Sequence, residues 1–198
     1  MLKISSDFSR RDMETTQALL ALGQEHHRAG RFADSAACFA KALARDPGRS
    51  DVHNALGAAL GDLGMLQAAE ASFRRALHLR PQDLSPLCNL GHVLIRQKRG
   101  EEAAACFARA IAMKPDRAES HFGLGVALNA AGKYREAEMV LRRTLAMRPD
   151  HTEAMSFMGG VMRHQDRFAE AEGWLRRALA LNPDFPNALA GLGVAARE

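Results

Sequence analysis

The chain has 198 residues, 47% of them hydrophobic but only 6% aromatic, and a net charge of +4. So mild a charge lacks the concentrated basic stripe of a nucleic-acid binder, and nucleic acid is not an expected partner. Three cysteines, an odd number, do not suggest a disulfide framework, and no apolar run is long enough for a signal peptide or a membrane span, so the expected setting is reducing and cytoplasmic.

Residues 1–15 fall outside any repeating pattern and read as an N-terminal leader. From residue 16 onward the chain keeps a period of 34 residues. Gly23, Gly57, Gly91, Gly125, Gly159 and Gly193 share one register, each preceded by Leu or Met. Pro47, Pro81, Pro115, Pro149 and Pro183 share another. Between them lie a small residue (Ser35, Ala69, Ala103, Ala137, Ala171) and, four positions on, a large apolar one (Phe39, Phe73, Phe107, Leu141, Leu175). Three further on come Ala42, Ala76, Ala110, Thr144 and Ala178. Spacings of three and four put these residues on one helical face. Each unit therefore reads as two helices, A and B. In the second unit, helix A is expected over 51–63, a turn at Gly64, and helix B over 66–79, ending before Pro81 because proline disfavours helix at the residue before it. Glycine inside helix A costs about 1 kcal/mol against alanine; the expected compensation is close approach of helix B, with Ala69 or its equivalent opposite.

This pattern of Leu-Gly, Ala-x-x-x-Phe and Pro at a period of 34 resembles the tetratricopeptide repeat family over residues 16–198. The resemblance implies an all-α fold, a right-handed α-solenoid of helix-turn-helix repeats at 16–49, 50–83, 84–117, 118–151 and 152–185. A partial repeat follows at 186–198, so five full repeats are followed by one extra C-terminal helix. The family's bulky aromatic near the start of helix A is replaced here by His53, Leu87, His121 and Met155.

The resemblance also implies a concave groove lined by the A helices. By register, that surface carries Gln24, His27, Arg28, Asn54, Asn89, His92, Arg96, Phe122, Val126, Asn129, Phe157 and Arg163. Phe122, Val126 and Phe157 make an apolar patch, and Arg28, Arg96, Arg163 and the histidines a cationic margin. The expected ligand is a peptide or protein segment with apolar anchors and some acidic character. The family's carboxylate clamp is absent, since Leu20, Gln24, Ala55, Ser85 and Asn89 stand at its positions. Its asparagine ladder is reduced to Asn89 alone among Ala21, Ala55, Gly123, Phe157 and Gly191. The expected function is a non-catalytic interaction scaffold or adaptor; the alternative is the recognition arm of a larger enzyme, such as a glycosyltransferase or a sulfotransferase.

Basic residues recur on helix B at Lys41, Arg75, Arg109, Arg143 and Arg177, where the exposed side of an amphipathic helix calls for charge. One position earlier, Arg74, Arg142 and Arg176 each follow a glutamate by four residues (Glu70, Glu138, Glu172), and repeats one and three have alanine at both places. Such i,i+4 pairs support a helix by about 0.2–0.5 kcal/mol each. Cys88 and His92 share a helical face, but zinc needs three or four protein ligands and the neighbouring positions offer none. No cofactor, metal or catalytic residue is expected. The last helix still presents Leu189, Leu192 and Val194, an apolar surface suited to self-association into a homo-oligomer.

Overall fold

The computed structural model describes the backbone of residues 3–195 and the side chains of residues 15–193. Eleven helices follow one another: α1 (Lys3–Arg28), α2 (Phe32–Arg45), α3 (Ser50–Asp62), α4 (Leu66–Leu79), α5 (Leu84–Arg96), α6 (Gly100–Met113), α7 (Ala118–Ala130), α8 (Tyr134–Met147), α9 (Thr152–Arg163), α10 (Phe168–Leu181) and α11 (Pro186–Ala195). No strand occurs among the described residues. None of the described helices is long and apolar enough to cross a membrane. The odd-numbered helices are the A helices of the register and the even-numbered ones the B helices. The expected bounds in the second repeat hold to one residue. The first A helix reaches back to Lys3, well before the register begins.

The described residues form two compact units that divide between Val93 and Leu94, inside α5. In the first unit, Leu20, Phe39, Ala42, Leu43, Val52 and Ala59 form a buried cluster, with Leu19 and Leu56 packed against it. In the second, one cluster joins Leu128, Leu141, Met158, Val161 and Met162. Another joins Met155, Leu175, Ala178 and Ala188, with Leu192 partly buried against it.

The helix boundaries follow from backbone chemistry. Each B helix stops at the residue before a proline: Asp46, Arg80, Lys114, Arg148 and Asn182. Each of these residues leaves the helix but still donates its N–H to a carbonyl four residues back. Each of the first five A helices ends in a paired-bond turn. In the first, Arg31 N–H reaches His26 O at 2.9 Å and Gly30 N–H reaches His27 O at 3.0 Å. That geometry requires a left-handed residue after the helix, normally glycine. Gly30, Gly64 and Gly132 fill it, with φ of 72°, 79° and 74°. At the equivalent places stand Lys98 and Asp166, with φ of 61° and 58°. A side chain in this region costs about 1–2 kcal/mol, less for aspartate than for lysine. Lys98→Gly is therefore expected to raise stability by about 1 kcal/mol in a urea titration, and a loss of stability would contradict this reading.

The A-helix glycines do make room for helix B, and the tightest contact is with its large apolar residue. A Cβ on Gly57 would lie 2.7 Å from the Phe73 ring, and one on Gly23 would lie 2.7 Å from Phe39. On Gly125 and Gly159 it would lie 2.8 Å from Leu141 and Leu175. The glycine seats the large apolar residue of helix B, and the small one before it also comes close: a Cβ on Gly159 would lie 3.3 Å from Ala171 O, and one on Gly125 3.7 Å from Ala137 O. Ala69, Ala137 and Ala171 are buried beside these seats. In repeat one the small residue is Ser35, whose hydroxyl donates to Gly23 O at 2.8 Å.

Candidate functional site

In the first unit, the inner face of α1 and α3 is shaped by the glycine seats. Because Gly23 lets Phe39 slide in beneath helix A, the ring becomes part of the wall of a cavity of about 200 Å³. Gln24, His27 and Arg28 of α1 and Ala55 and Ala58 of α3 complete it. The wall is mainly apolar. Arg28 and Gln24 are exposed on it and His27 is half-buried. His27 holds its ring edge-on to Phe32, with centroids 5.3 Å apart. Its Nε2 lies 3.0 Å from an Asp62 carboxylate oxygen, an ion-pair distance without the alignment of a hydrogen bond. Next along this face, Asn89 Nδ2 donates to Asn54 Oδ1 at 3.0 Å, tying α5 to α3. The sequence places Asn54 and Asn89 on the groove as independent groups; the structure joins them. His92 stands exposed one turn further along α5.

In the second unit, the corresponding face is aromatic. Phe122 of α7 and Phe157 of α9 meet edge to face, with centroids 5.4 Å apart. Phe122 also packs against His151, at 4.7 Å. His151 is buried because it caps α9, accepting from the Ala154 N–H at 3.4 Å. Val126, Asn129 and Arg163 are half-buried on the same helices, and Arg96 is exposed at the end of α5. Thus Gln24, His27 and Arg28 converge on one cavity and Phe122 and Phe157 on one another.

The carboxylates of the A-helix N-termini are held in the charged state. Glu119 sits below the usual carboxylate range chiefly because its own backbone N–H donates to it, aided by Arg148 and Arg117. Glu153 is lowered by the same backbone effect, with His151 and Thr152 contributing. Asp51 is lowered chiefly by its hydrogen bonds from Arg49. The two substituted histidines have a local role that the sequence left as packing. Nε2 of His53 lies 3.1 Å from Pro47 O, and Nε2 of His121 lies 2.9 Å from Pro115 O, linking helix A to the preceding turn.

The outer face carries the ion pairs that the spacing predicts. Arg74 meets Glu70 at 2.7 Å, and Arg142 and Arg176 meet Glu138 and Glu172 at 2.6 Å. Lys41, Arg75, Arg109, Arg143 and Arg177 are exposed, and Arg177 also lies over the Trp174 ring at 4.4 Å. Two of the glutamates are not surface groups, however. Glu70 and Glu138 are each only 6% exposed. Glu138 is reached from the following turn by Gln165 at 3.1 Å and Arg167 at 2.8 Å, and Arg167 in turn holds Glu170. Burial pulls the Glu138 carboxyl upward, but the hydrogen bonds from Gln165 and Arg167 and the charge of Arg142 outweigh it and hold the group below the usual range. The signal for this was present: Glu70, Gln97, Arg99 and Glu102 recur 68 residues later as Glu138, Gln165, Arg167 and Glu170.

Among the described residues, no group of three or more His, Cys, Asp or Glu side chains converges as a metal site would require. Leu192 packs against the Leu175 cluster, Leu189 is 49% exposed, and the side chain of Val194 lies outside the described residues.

Three family models, each described as a tetratricopeptide repeat, match residues 20–83, 82–150 and 128–195. No curated protein sequence matches. Among solved structures, the chain resembles a MamA protein at 22% identity and a TM-score of 0.74, covering 86% of this chain and 93% of that one. It also resembles TTC0263, a thermophilic tetratricopeptide repeat protein of Thermus thermophilus, at 22% identity and a TM-score of 0.74 over 92% of this chain and all of the other. YrrB, a tetratricopeptide repeat protein with an unusual peptide-binding site, is similar at 20% identity and a TM-score of 0.73, covering 95% and 97%. Identities of this size speak for the fold. With the register, the paired helices and three consecutive model matches in agreement, the chain belongs to the tetratricopeptide repeat family.

Proposed function

We propose that the chain is a non-catalytic interaction scaffold whose A-helix face receives an extended segment of another protein. The cavity at Gln24, His27, Arg28, Phe39, Ala55 and Ala58 carries this reading. At about 200 Å³ it is smaller than the roughly 300–1,000 Å³ of sites that enclose small molecules and cofactors. It suits a single apolar side chain. Its apolar wall offers the anchor, and the exposed Arg28 beside it favours an acidic neighbour on the bound segment. The Phe122–Phe157 pair offers a second apolar surface of the same kind in the other unit. The likeness to YrrB, described as having a peptide-binding site, supports the ligand class.

The test is a selection of random displayed peptides against the whole chain. Enriched peptides are expected to share an apolar side chain next to Asp or Glu. Ala58→Trp, which fills the cavity from its wall, is expected to weaken them at least tenfold (about 1.4 kcal/mol), with the melting temperature retained. Arg28→Glu is expected to weaken them less and to remove the preference for acidic residues. Peptides that bind both variants as well as the parent would overturn the assignment.

A further inference from the structure

The start of α9 is held by one imidazole nitrogen that has two competing partners. No side chain caps α2, α3, α4, α6, α7, α8 or α10. In contrast, α9 is capped by His151, which is only 8% exposed. Its Nδ1 lies 3.4 Å from the Ala154 N–H nitrogen and 3.1 Å from a Glu153 carboxylate oxygen. That nitrogen serves one of them at a time. As a lone pair it accepts from the N–H and has no proton to offer the carboxylate. Carrying a proton, it donates to the carboxylate and accepts nothing. The same ring packs on Phe122, with centroids 4.7 Å apart, and Phe122 meets Phe157 edge to face.

We infer that His151 is a proton-operated switch: on protonation, Nδ1 exchanges the Ala154 N–H for the Glu153 carboxylate, the first turn of α9 loses its cap, and a positive charge is set against Phe122. An imidazole ordinarily changes charge between about pH 5 and 8. Glu153 stays charged across that range. Its own backbone N–H, with the Thr152 hydroxyl 3.3 Å away, holds its carboxyl below the ordinary range. The proton that moves is therefore the one on His151. The neighbouring charges are engaged elsewhere or exposed. On α7, Glu119 is bound by Arg148 at 3.0 Å and lies 3.9 Å from Arg117. Arg148, at the end of α8, takes the His151 backbone N–H on its carbonyl and turns its guanidinium to Glu119. Asp150 is exposed. A cation is drawn to an aromatic face, so Phe122 follows the ring as it turns from Ala154 to Glu153. The aromatic surface of α7 and α9 thereby takes up two positions, one for each charge state. The switch belongs to the free chain and needs no ligand, so the inference stands or falls apart from the groove reading.

The experiment is nuclear magnetic resonance of the whole nitrogen-15-labelled chain from about pH 8 down to about pH 5. At the upper end His151 is expected to carry its proton on Nε2, with Nδ1 bare. On acidification Nδ1 is expected to gain a proton. The Ala154 amide should then exchange with solvent about tenfold faster, relative to an unstructured amide at the same pH. The Phe122 ring resonances should move with the same midpoint as the His151 ring. His151→Asn keeps a capping oxygen that does not titrate, and is expected to leave Ala154 protected and Phe122 still across the whole range. A His151 ring that already carries its proton on Nδ1 at the upper end overturns the inference, as does one that does not titrate in this range. So do Ala154 and Phe122 signals indifferent to the His151 midpoint, or the same pH response in His151→Asn.

Discussion

Replacing Gly125 by leucine is expected to destabilise the second unit by about 2 kcal/mol. The first added carbon already lies 2.8 Å from Cγ and Cδ2 of Leu141, which is itself fully buried. Neither helix has room to give, because Ala137 on the same B helix is also at 0% exposure. Against this overpacking stands the helix propensity regained on losing glycine, which is less than about 1 kcal/mol. The net loss corresponds to roughly 4–8 °C in melting temperature for a chain of this size. The same substitution at Gly193 should show only the propensity gain, since no described residue lies within 4 Å of a Cβ there. Two positions in one register, with opposite signs of effect, separate the seat from any general property of glycine in these helices. Equal or raised thermal stability for Gly125→Leu would contradict the packing described.

Replacing Glu138 by alanine is expected to cost about 2–3 kcal/mol, because it removes two charge-assisted hydrogen bonds from a buried carboxylate. Replacing Glu172 should cost about 0.5 kcal/mol or less. Both glutamates pair with an arginine four residues on, but Glu172 is 44% exposed and Glu138 is reached from the next turn as well. A pair within one helix supports that helix alone, whereas the Glu138 network joins two successive helical hairpins. The pH dependence carries the same signature. The folded-state pKa of Glu138 lies below its ordinary 4.5, so its stabilisation is complete above 4.5 and is lost as pH falls from there through the lower folded-state value. Urea midpoints for the parent chain should therefore drop below about pH 4.5, and those of Glu138→Ala should drop less steeply. Equal costs for the two glutamates would contradict the network.

The fold was legible because its determinants are local and repeated. A period of 34 residues, a proline closing each B helix and, in four repeats, a glycine seating the Phe or Leu of helix B recur without insertion. The paired glutamates and arginines were legible for the same reason, since four residues on a helix fix who meets whom. What the sequence hid was depth and partnership between repeats. Glu138 looks like Glu172 in a single helix, and only the following turn, with Gln165 and Arg167, distinguishes them. His53 and His121 read as packing groups because nothing local signals a bond to a proline carbonyl six residues back. On the A-helix face, register placed Gln24, His27 and Arg28 together. It could not show that Phe39, a B-helix core residue, comes up beside Gly23 to form part of the cavity wall. The Asn54–Asn89 bond likewise depends on the rotation of α5 against α3, which periodicity leaves open.

The central claim is that ligand recognition lies on the A-helix face, with an apolar anchor in the cavity beside Ala58. It is tested most directly by amide chemical-shift mapping of the whole chain titrated with a selected peptide. The account predicts the largest shifts at Gln24, His27, Arg28, Ala55 and Ala58, with α4 unchanged around Arg74 and Arg75. Shifts concentrated on the exposed arginines of the B helices, with the Ala58 region silent, would contradict it.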